Sequence, residues 1–169
     1  MRNICFYFQI HLPYRLKRYR FIEIGQDHYY YDDFQIEERI RAYVEQSLLP
    51  ANRTIAEMIR SSNGKFRCAF TISGVTLDQL EHYAPEVIDS FKDLAKTGCV
   101  EFMAEPYAHS LSSVFDATEF ERQLKLHADK IETLFGKRPS SLFNAELIYS
   151  DEIGEIASKM GFKTMLIDE

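Results

Sequence analysis

The stretch SLFNAELIYSDEIG at residues 141–154 combines a short apolar run, an acidic residue and the start of a helix. Leu142 and Phe143 precede Glu146, and the helix is predicted to begin near Ser150 or Asp151. A carboxylate at the end of a strand and before a helix is common in α/β barrels, whose active sites lie at the carboxyl ends of the strands. A solvated loop glutamate gives the same short pattern, so the rest of the chain has to decide between the two interpretations.

Similar apolar runs recur along the chain, and helical patterns separate them. The strand of residues 141–145 is joined by predicted strands at 4–10 (ICFYFQI), 66–74 (FRCAFTISG), 99–104 (CVEFMA) and 163–168 (KTMLID). Regular alternation of strands and helices implies a parallel sheet with right-handed crossovers. The first helix is predicted over about 33–47, where Pro50 interrupts it. We therefore predict an α/β fold of about five βα repeats, either an open sheet or the first part of a longer barrel.

Composition and net charge exclude several classes of protein. The length of 169 residues suits one domain, and the net charge of −6 argues against a nucleic-acid surface. No window approaches the roughly 18 continuous apolar residues that a membrane span needs. The three cysteines have no C-x-x-C spacing, so neither a disulfide framework nor a zinc site is predicted, and a reducing cytoplasm is expected.

Polar residues concentrate at the predicted strand ends, which lie on one rim of a parallel sheet. They are His11 after the first strand, Glu101, Glu105 and His109 in or after the third, Glu146 after the fourth, and Asp168 and Glu169 after the fifth. This is more acid and imidazole than a solvated face needs, although His11 alone would also suit a helix cap or a core position. Glu101 lies inside an apolar strand, where an unpaired carboxylate is costly. The other histidines, His28, His82 and His127, are assigned to the surface or to helix faces.

A metal-dependent polysaccharide deacetylase would share an imperfect barrel but needs a different set of residues. It requires an Asp-Asp pair after the first strand and an H-x-x-x-H set after a later one. His11 is followed by Leu12 and Pro13, and no second histidine follows His109 at the required spacing. Phosphate loops, G-x-S-x-G elbows and Cys–His dyads are also absent from the sequence. No cofactor and no metal are predicted.

Three blocks of sequence resemble glycoside hydrolase family 57, which contains amylases and 4-α-glucanotransferases. They are FYFQIHLPYRL at 6–16, GCVEFMAEPYAHSL at 98–111 and FNAELIYSDEIG at 143–154. The first block resembles the family's strand followed by a histidine and a proline, with Leu12 in place of the usual glutamine. The second matches a glutamate within a strand and a downstream histidine, and the third matches the region of the nucleophile.

The resemblance implies a single domain over residues 1–169 that is the N-terminal, truncated part of an incomplete (β/α)7 barrel. It implies a retaining enzyme without metal that acts on α-glucan oligosaccharides or polysaccharides, with Glu146 as nucleophile. His11, Glu101 and His109 are then expected to bind sugar hydroxyls and set the charge of the nucleophile, and Tyr107 to offer an aromatic platform. The family's acid/base aspartate lies in a fourth region that has no counterpart here.

Two alternatives remain open at the level of the sequence. One is a non-catalytic carbohydrate-binding or structural module of the same fold, and the other is the deacetylase-like enzyme. Under the favoured interpretation, the 169 residues alone are expected to be inactive. They are also expected to self-associate, because half a barrel has open sheet edges that pair with other chains.

Overall fold

The computed structural model describes residues 4–26 and 28–168 of the chain. The described strands are β1 (Phe6–Ile10), β2 (Cys68–Ile72), β3 (Val100–Phe102), β4 (Ser141–Phe143) and β5 (Thr164–Leu166). The described α-helices are α1 (Asp33–Tyr43), α2 (Leu49–Ser61), α3 (Gly74–Tyr83), α4 (Pro85–Lys96), α5 (Ser112–Phe115), α6 (Ala117–Phe135) and α7 (Asp151–Lys159). No helix within these two ranges has the length and apolar character to cross a bilayer.

All strand pairs are parallel, and neighbours in the sheet follow the order of the chain. β1, β2 and β3 form one sheet in that order, and β4 pairs with β5 in a second. A single parallel bridge between Ala104 and Leu142 joins the two sheets, with hydrogen bonds of 2.9 Å from Ala104 N to Ser141 O and 2.8 Å from Phe143 N to Ala104 O. The prediction of a parallel α/β fold with about five strands is confirmed, and closure into part of a barrel stays a prediction.

Alternation along the strands separates an apolar face from a polar one. Successive strand residues point to opposite faces, and Ile10, Phe70 and Phe102 pack into the core with the helices. On the other face the hydroxyl groups of Tyr7 and Thr71 lie 2.7 Å apart. The polar face therefore leads along the strands toward the rim where the predicted site residues lie.

The core divides into two clusters of buried side chains. The larger lies between the first three strands and the helices α1 to α4, and the smaller surrounds Leu142 and Ile153. Helix α6 contributes Ile131 to the larger cluster, and Phe120 and Leu124 to the smaller. One 19-residue helix thus ties the two clusters together.

Pro50 does not interrupt the first helical segment as predicted. A π-helical turn over Val44–Leu48 connects α1 to α2 without a break, and the Leu49 N–H donates to Val44 O, five residues earlier. Pro50 directly follows this turn, as the second residue of α2. The wider turn removes the conflict that an α-helix would have with the proline ring.

The tyrosine-rich loop before α1 folds back on itself. Leu16 and Tyr31 form an antiparallel bridge, and the Lys17 N–H donates to Tyr30 O at 3.0 Å. The Asp32 N–H donates to Arg15 O at 3.0 Å. We call residues 14–26 and 28–31 the tyrosine arm.

Candidate active site

Four of the five strands bring a polar residue to their carboxyl ends. His11 follows β1 directly, Ser73 follows β2, Glu105 comes three residues after β3, and Glu146 comes three residues after β4. Because parallel strands end on the same side of a sheet, these side chains meet on one rim.

Glu105 and His109 form a buried carboxylate–imidazole pair at the centre of this rim. The Glu105 side chain is fully buried, and its Oε2 lies 2.7 Å from His109 Nδ1. Burial raises the pKa of Glu105, and the hydrogen bond and charge of His109 oppose that shift. The hydrogen bond to Glu105 raises the pKa of His109, so the carboxylate favours the cationic imidazole. Within the described residues, Glu105 Oε1 has no hydrogen-bond partner.

His109 connects this buried pair to the exposed Glu146. Its Nε2 lies 3.8 Å from Glu146 Oε1 and 3.3 Å from Gln9 Nε2. Its ring stacks on His11 with a centroid distance of 4.5 Å and on Phe143 with a centroid distance of 6.0 Å. The Glu146 side chain is 73% exposed, so its carboxylate faces the solvent while the imidazole behind it is held on several sides.

His11 is fixed by a separate chain of hydrogen bonds. Its Nδ1 lies 2.8 Å from Ser73 Oγ, which lies 2.8 Å from Thr76 Oγ1, and the Leu12 N–H donates to Thr76 Oγ1 at 2.7 Å. Desolvation, and then the charge of His109, lower the pKa of His11. The pKa values of the two stacked histidines are therefore shifted in opposite directions, downward for His11 and upward for His109.

The backbone around Glu146 adopts a conformation that non-glycine residues rarely occupy. Glu146 has φ +56° and Leu147 has φ +57°, a left-handed geometry that costs about 1–2 kcal/mol per residue. The fully buried Asn144 supports this turn, because its Nδ2 donates to Ile148 O at 2.8 Å and its Oδ1 accepts from the Ala145 N–H at 3.0 Å. His109 also has a positive φ, of +54°, and strain of this kind clusters at functional sites.

The structure does not bring Glu101 to the rim, contrary to the prediction. Glu101 pairs in register with Ala69, near the start of β2, and its Oε1 accepts a hydrogen bond of 2.6 Å from Ser141 Oγ at the start of β4. Glu105 is four residues further along, or about 13 Å at 3.3 Å per extended residue. The cost of a carboxylate in an apolar strand is met by hydroxyl groups at the opposite end of the strands.

Tyr107 lies on the rim but faces α3 rather than the histidines. Its hydroxyl group donates to the Asp78 carboxylate at 2.8 Å, and its ring covers Gly74, where a Cβ would overlap the ring atoms. Lys130 Nζ reaches the same carboxylate at 3.0 Å. The cluster therefore unites three of the predicted residues, His11, His109 and Glu146, and places Tyr107 beside them.

Two residues behind the rim, His127 and Glu105, were not predicted correctly from the sequence. His127 was expected on a surface or helix face, but it is fully buried. Its Nε2–H donates to Ile72 O at 2.8 Å, and its Nδ1 accepts from the Glu105 N–H at 3.2 Å. Glu105 itself was noted only as one of several acids. The available signal was the four-residue spacing between Glu105 and His109. The two side chains touch at this spacing only when the loop has a suitable conformation, which the sequence does not show.

The described residues contain no group of three or more His, Cys, Asp or Glu side chains arranged to hold a metal ion. The chemistry available at the rim comes from one exposed carboxylate, one buried carboxylate and two imidazoles whose pKa values are shifted in opposite directions. Such a set can place a nucleophilic carboxylate beside a cation, and can donate and accept hydrogen bonds around a polar substrate.

The fold and this rim define an α/β domain whose candidate site lies at the carboxyl ends of parallel strands. The sequence profile of Glycosyl hydrolase family 57 matches residues 5–169. The chain belongs to this family.

One curated protein is similar to the chain in sequence, and two solved structures are similar to it in fold. A Methanocaldococcus jannaschii protein described as a candidate alpha-amylase is 34% identical over 171 residues, covering 98% of this chain and 35% of the relative. The fold is similar to 4-alpha-glucanotransferase from Thermococcus litoralis, with a TM-score of 0.71, 15% identity, and coverage of 97% of this chain and 22% of that one. It is also similar to the alpha-amylase AmyC from Thermotoga maritima, with a TM-score of 0.67, 13% identity, and coverage of 99% and 40%. The chain thus spans about a third of the length of the curated relative it matches.

Proposed function

We propose that the protein is a retaining glycoside hydrolase or glucanotransferase that acts on α-glucans, with Glu146 as the nucleophile. One observation carries the proposal: a solvent-facing carboxylate is held in a left-handed turn at the end of β4, 3.8 Å from His109. Membership of the glycosidase family and the names of the relatives support the substrate class. A nucleophile must reach the anomeric carbon from a fixed direction, and the strained turn restricts that direction.

The neighbouring residues have distinct proposed roles. His109 is proposed to hold the nucleophile in place through Nε2, which lies 3.8 Å from Glu146 Oε1, and is itself oriented by Glu105, which therefore acts as a positioning residue. His11 is proposed to hydrogen-bond a sugar hydroxyl through Nε2, because its Nδ1 is engaged with Ser73. Tyr107 is proposed to form the wall of the cleft through its contact with Asp78.

A second carboxyl group is needed to complete the reaction. Retaining enzymes place their two carboxyl groups about 5–5.5 Å apart, one as nucleophile and the other as acid and then base. We propose that an aspartate outside residues 1–169 supplies the acid, since the family region that carries it has no counterpart in this sequence. The 169 residues alone are then expected to bind glucans but not to cleave them.

The strand order supports a corresponding proposal for the architecture. Five parallel strands that follow one another in chain order, joined by the Ala104–Leu142 bridge, suit part of a (β/α)7 barrel. A complete barrel would cover the outer edges of β1 and β5. Exposed edges pair with other strands, so an isolated 169-residue chain is expected to self-associate, and light scattering would measure this.

The function is tested by replacing the nucleophile in the full protein. Glu146→Gln should lower kcat on maltooligosaccharides by at least about a thousandfold, because an amide cannot form the glycosyl–enzyme bond. A fluorinated glucosyl substrate that traps the intermediate should label the peptide that contains Glu146. Glu121→Gln, on the exposed face of α6, is the matched control and should retain activity.

Two outcomes would contradict the proposal. Turnover of the Glu146→Gln protein within about tenfold of the wild type would assign the nucleophile to another residue. Binding of maltooligosaccharides by the full protein without any cleavage would favour the non-catalytic module instead.

A further inference from the structure

A cavity lined by tyrosines lies beside the histidine cluster. It is formed by the tyrosine arm, the start of α1 and helix α3, and has a volume of about 350 Å³. Its walls are Tyr14, Tyr29, Tyr31, Asp33, Asp78, Gln79, His82 and Tyr83. We call it the tyrosine cavity. Its volume falls within the range of about 300–1,000 Å³ that is typical of ligand sites.

Hydrogen bonds and ring contacts fix the aromatic walls of this cavity. The Tyr29 hydroxyl donates to Asp33 Oδ2 at 2.5 Å, and the Tyr83 hydroxyl donates to Asp33 Oδ1 at 3.3 Å. Tyr31 contacts Tyr14 with a centroid distance of 4.8 Å and Tyr29 with a centroid distance of 6.3 Å. A rigid set of rings loses little conformational entropy when a ligand binds.

The cavity is connected to the proposed catalytic cluster. Gln79, on its wall, donates to Leu12 O at 2.6 Å, and Leu12 directly follows His11. Asp78, on the same wall, accepts the hydroxyl hydrogen of Tyr107, which follows Glu105 by two residues. The cavity and Glu146 therefore lie on the same rim of the sheet, and Tyr107 lies between the cavity wall and the loop that carries His109.

The hydrogen-bonding groups of the cavity suit a polar ligand that carries hydroxyl groups. Both oxygens of Asp33 accept hydrogen bonds from tyrosines, and Asp78 is paired with Lys130. Both carboxylates are thus held in place by hydrogen bonds, while their remaining lone pairs can accept further hydrogen bonds from a ligand. Tyrosine side chains combine an apolar face with a polar hydroxyl group, which suits a pyranose ring with its C–H face and its hydroxyl groups.

We propose that the tyrosine cavity is a remote subsite for the α-glucan chain, which binds glucose units at a distance from the bond that is cleaved. This inference rests on the proposed function, because it takes the same substrate class. It adds that affinity grows with chain length, since only longer oligosaccharides reach both the cavity and Glu146. The contacts of Tyr14 and Tyr31 supply this additional affinity.

The test measures the binding of maltotriose and maltoheptaose by calorimetry, using the full protein with the Glu146→Gln substitution to prevent cleavage. Adding Tyr31→Ala should weaken maltoheptaose binding by about fivefold to tenfold, the effect expected of one aromatic contact. Maltotriose binding should change less, so the preference for the longer chain should shrink. Tyr31→Phe keeps the ring and should restore most of the affinity.

Matched controls separate the cavity from the stability of the arm. Tyr30 is adjacent in the chain but faces the other side, where its ring contacts Tyr19 with a centroid distance of 5.4 Å. Tyr30→Ala should leave maltoheptaose binding unchanged. Tyr14→Ala removes the ring that contacts Tyr31 in the cavity and should weaken maltoheptaose binding to a similar extent.

The outcomes distinguish this inference from the function on which it rests. Equal affinity of the Tyr31→Ala, Tyr14→Ala and parent proteins for maltoheptaose would overturn the remote subsite while leaving Glu146 as nucleophile. Absence of maltooligosaccharide binding and cleavage in the full wild-type protein would overturn both. Choline binding that Tyr31→Ala abolishes, without any effect on maltoheptaose, would show that the cavity is a cation site and overturn the proposal.

Discussion

The left-handed turn at Glu146 predicts that this position is more stable as glycine than as alanine. Both substitutions remove the carboxylate, so their difference isolates the backbone. Alanine at φ +56° retains a cost of about 1–2 kcal/mol, which glycine avoids. Glycine loses about 0.4–1 kcal/mol through the greater freedom of its unfolded chain.

The net difference follows from these two opposing effects. We expect the free energy of unfolding of Glu146→Gly to exceed that of Glu146→Ala by about 0.5–1 kcal/mol, from the same costs. For a chain of this size, this corresponds to a higher melting temperature by about 1–4 °C. The lost side chain contributes little to the comparison, because it is 73% exposed.

Chemical denaturation of the two variants measures the difference, and a helical position gives the opposite sign. Glu121 lies on the exposed face of α6, where glycine should be less stable than alanine by about 1 kcal/mol. A similar loss at position 146 would show that Glu146 does not adopt the left-handed conformation. Backbone strain would then no longer support a functional role for Glu146.

Three further predictions concern residues on, or directly behind, the rim that carries Glu146. Glu105→Gln should lower the pKa of His109, because the carboxylate is the main cause of its rise; histidine NMR titration measures this, and an unchanged pKa would contradict the pairing. In the wild type, the raised pKa of His109 contributes stability below pH 6.5 that is lost as the pH rises through the folded pKa, so denaturation curves should show this component weakened in Glu105→Gln. Burial lowers the pKa of His127 from 6.5 to about 4, so the folded state binds fewer protons than the unfolded state. About 3 kcal/mol of stability should therefore be lost as the pH falls through that range. Urea denaturation at several pH values measures this loss, and a stability that did not change with pH would show that His127 is solvated. Gly74→Ala should destabilise by about 1–3 kcal/mol, because the new methyl group overlaps the ring of Tyr107, and Tyr107→Ala should suppress that loss in a double-mutant cycle.

The sequence predicted the order of the elements because their signals are local. Apolar runs, Gly136 after α6 and the Asp116 cap mark strands and helix ends without reference to the rest of the chain. Pro50 misled the prediction because a π-turn, which has no simple sequence signature, absorbs the proline. Local patterns therefore predicted the strands and helices, but not the continuous connection between α1 and α2.

The site was predicted less completely, because depth along a strand is not visible in a sequence. Glu101 and Glu105 both belong to the second block, at residues 98–111, yet only Glu105 lies beside His109. Register with β2 and the bond to Ser141 distinguish the two acids, and both depend on contacts between distant residues. The burial of His127 was missed for the same reason, since one of its partners, Ile72, lies in β2 and the other, Glu105, follows β3.

The single bridge between Ala104 and Leu142 has a consequence for motion. The three-stranded sheet and the β4–β5 pair meet across one short seam, and each has its own cluster of buried side chains. Structures divided in this way open in separate cooperative units, which hydrogen exchange resolves. Glu146 lies on one side of the seam and His109 on the other, so small relative movements of the two units change the distance between the carboxylate and the imidazole. Helix α6 packs into both clusters and therefore limits the relative movement of the two units.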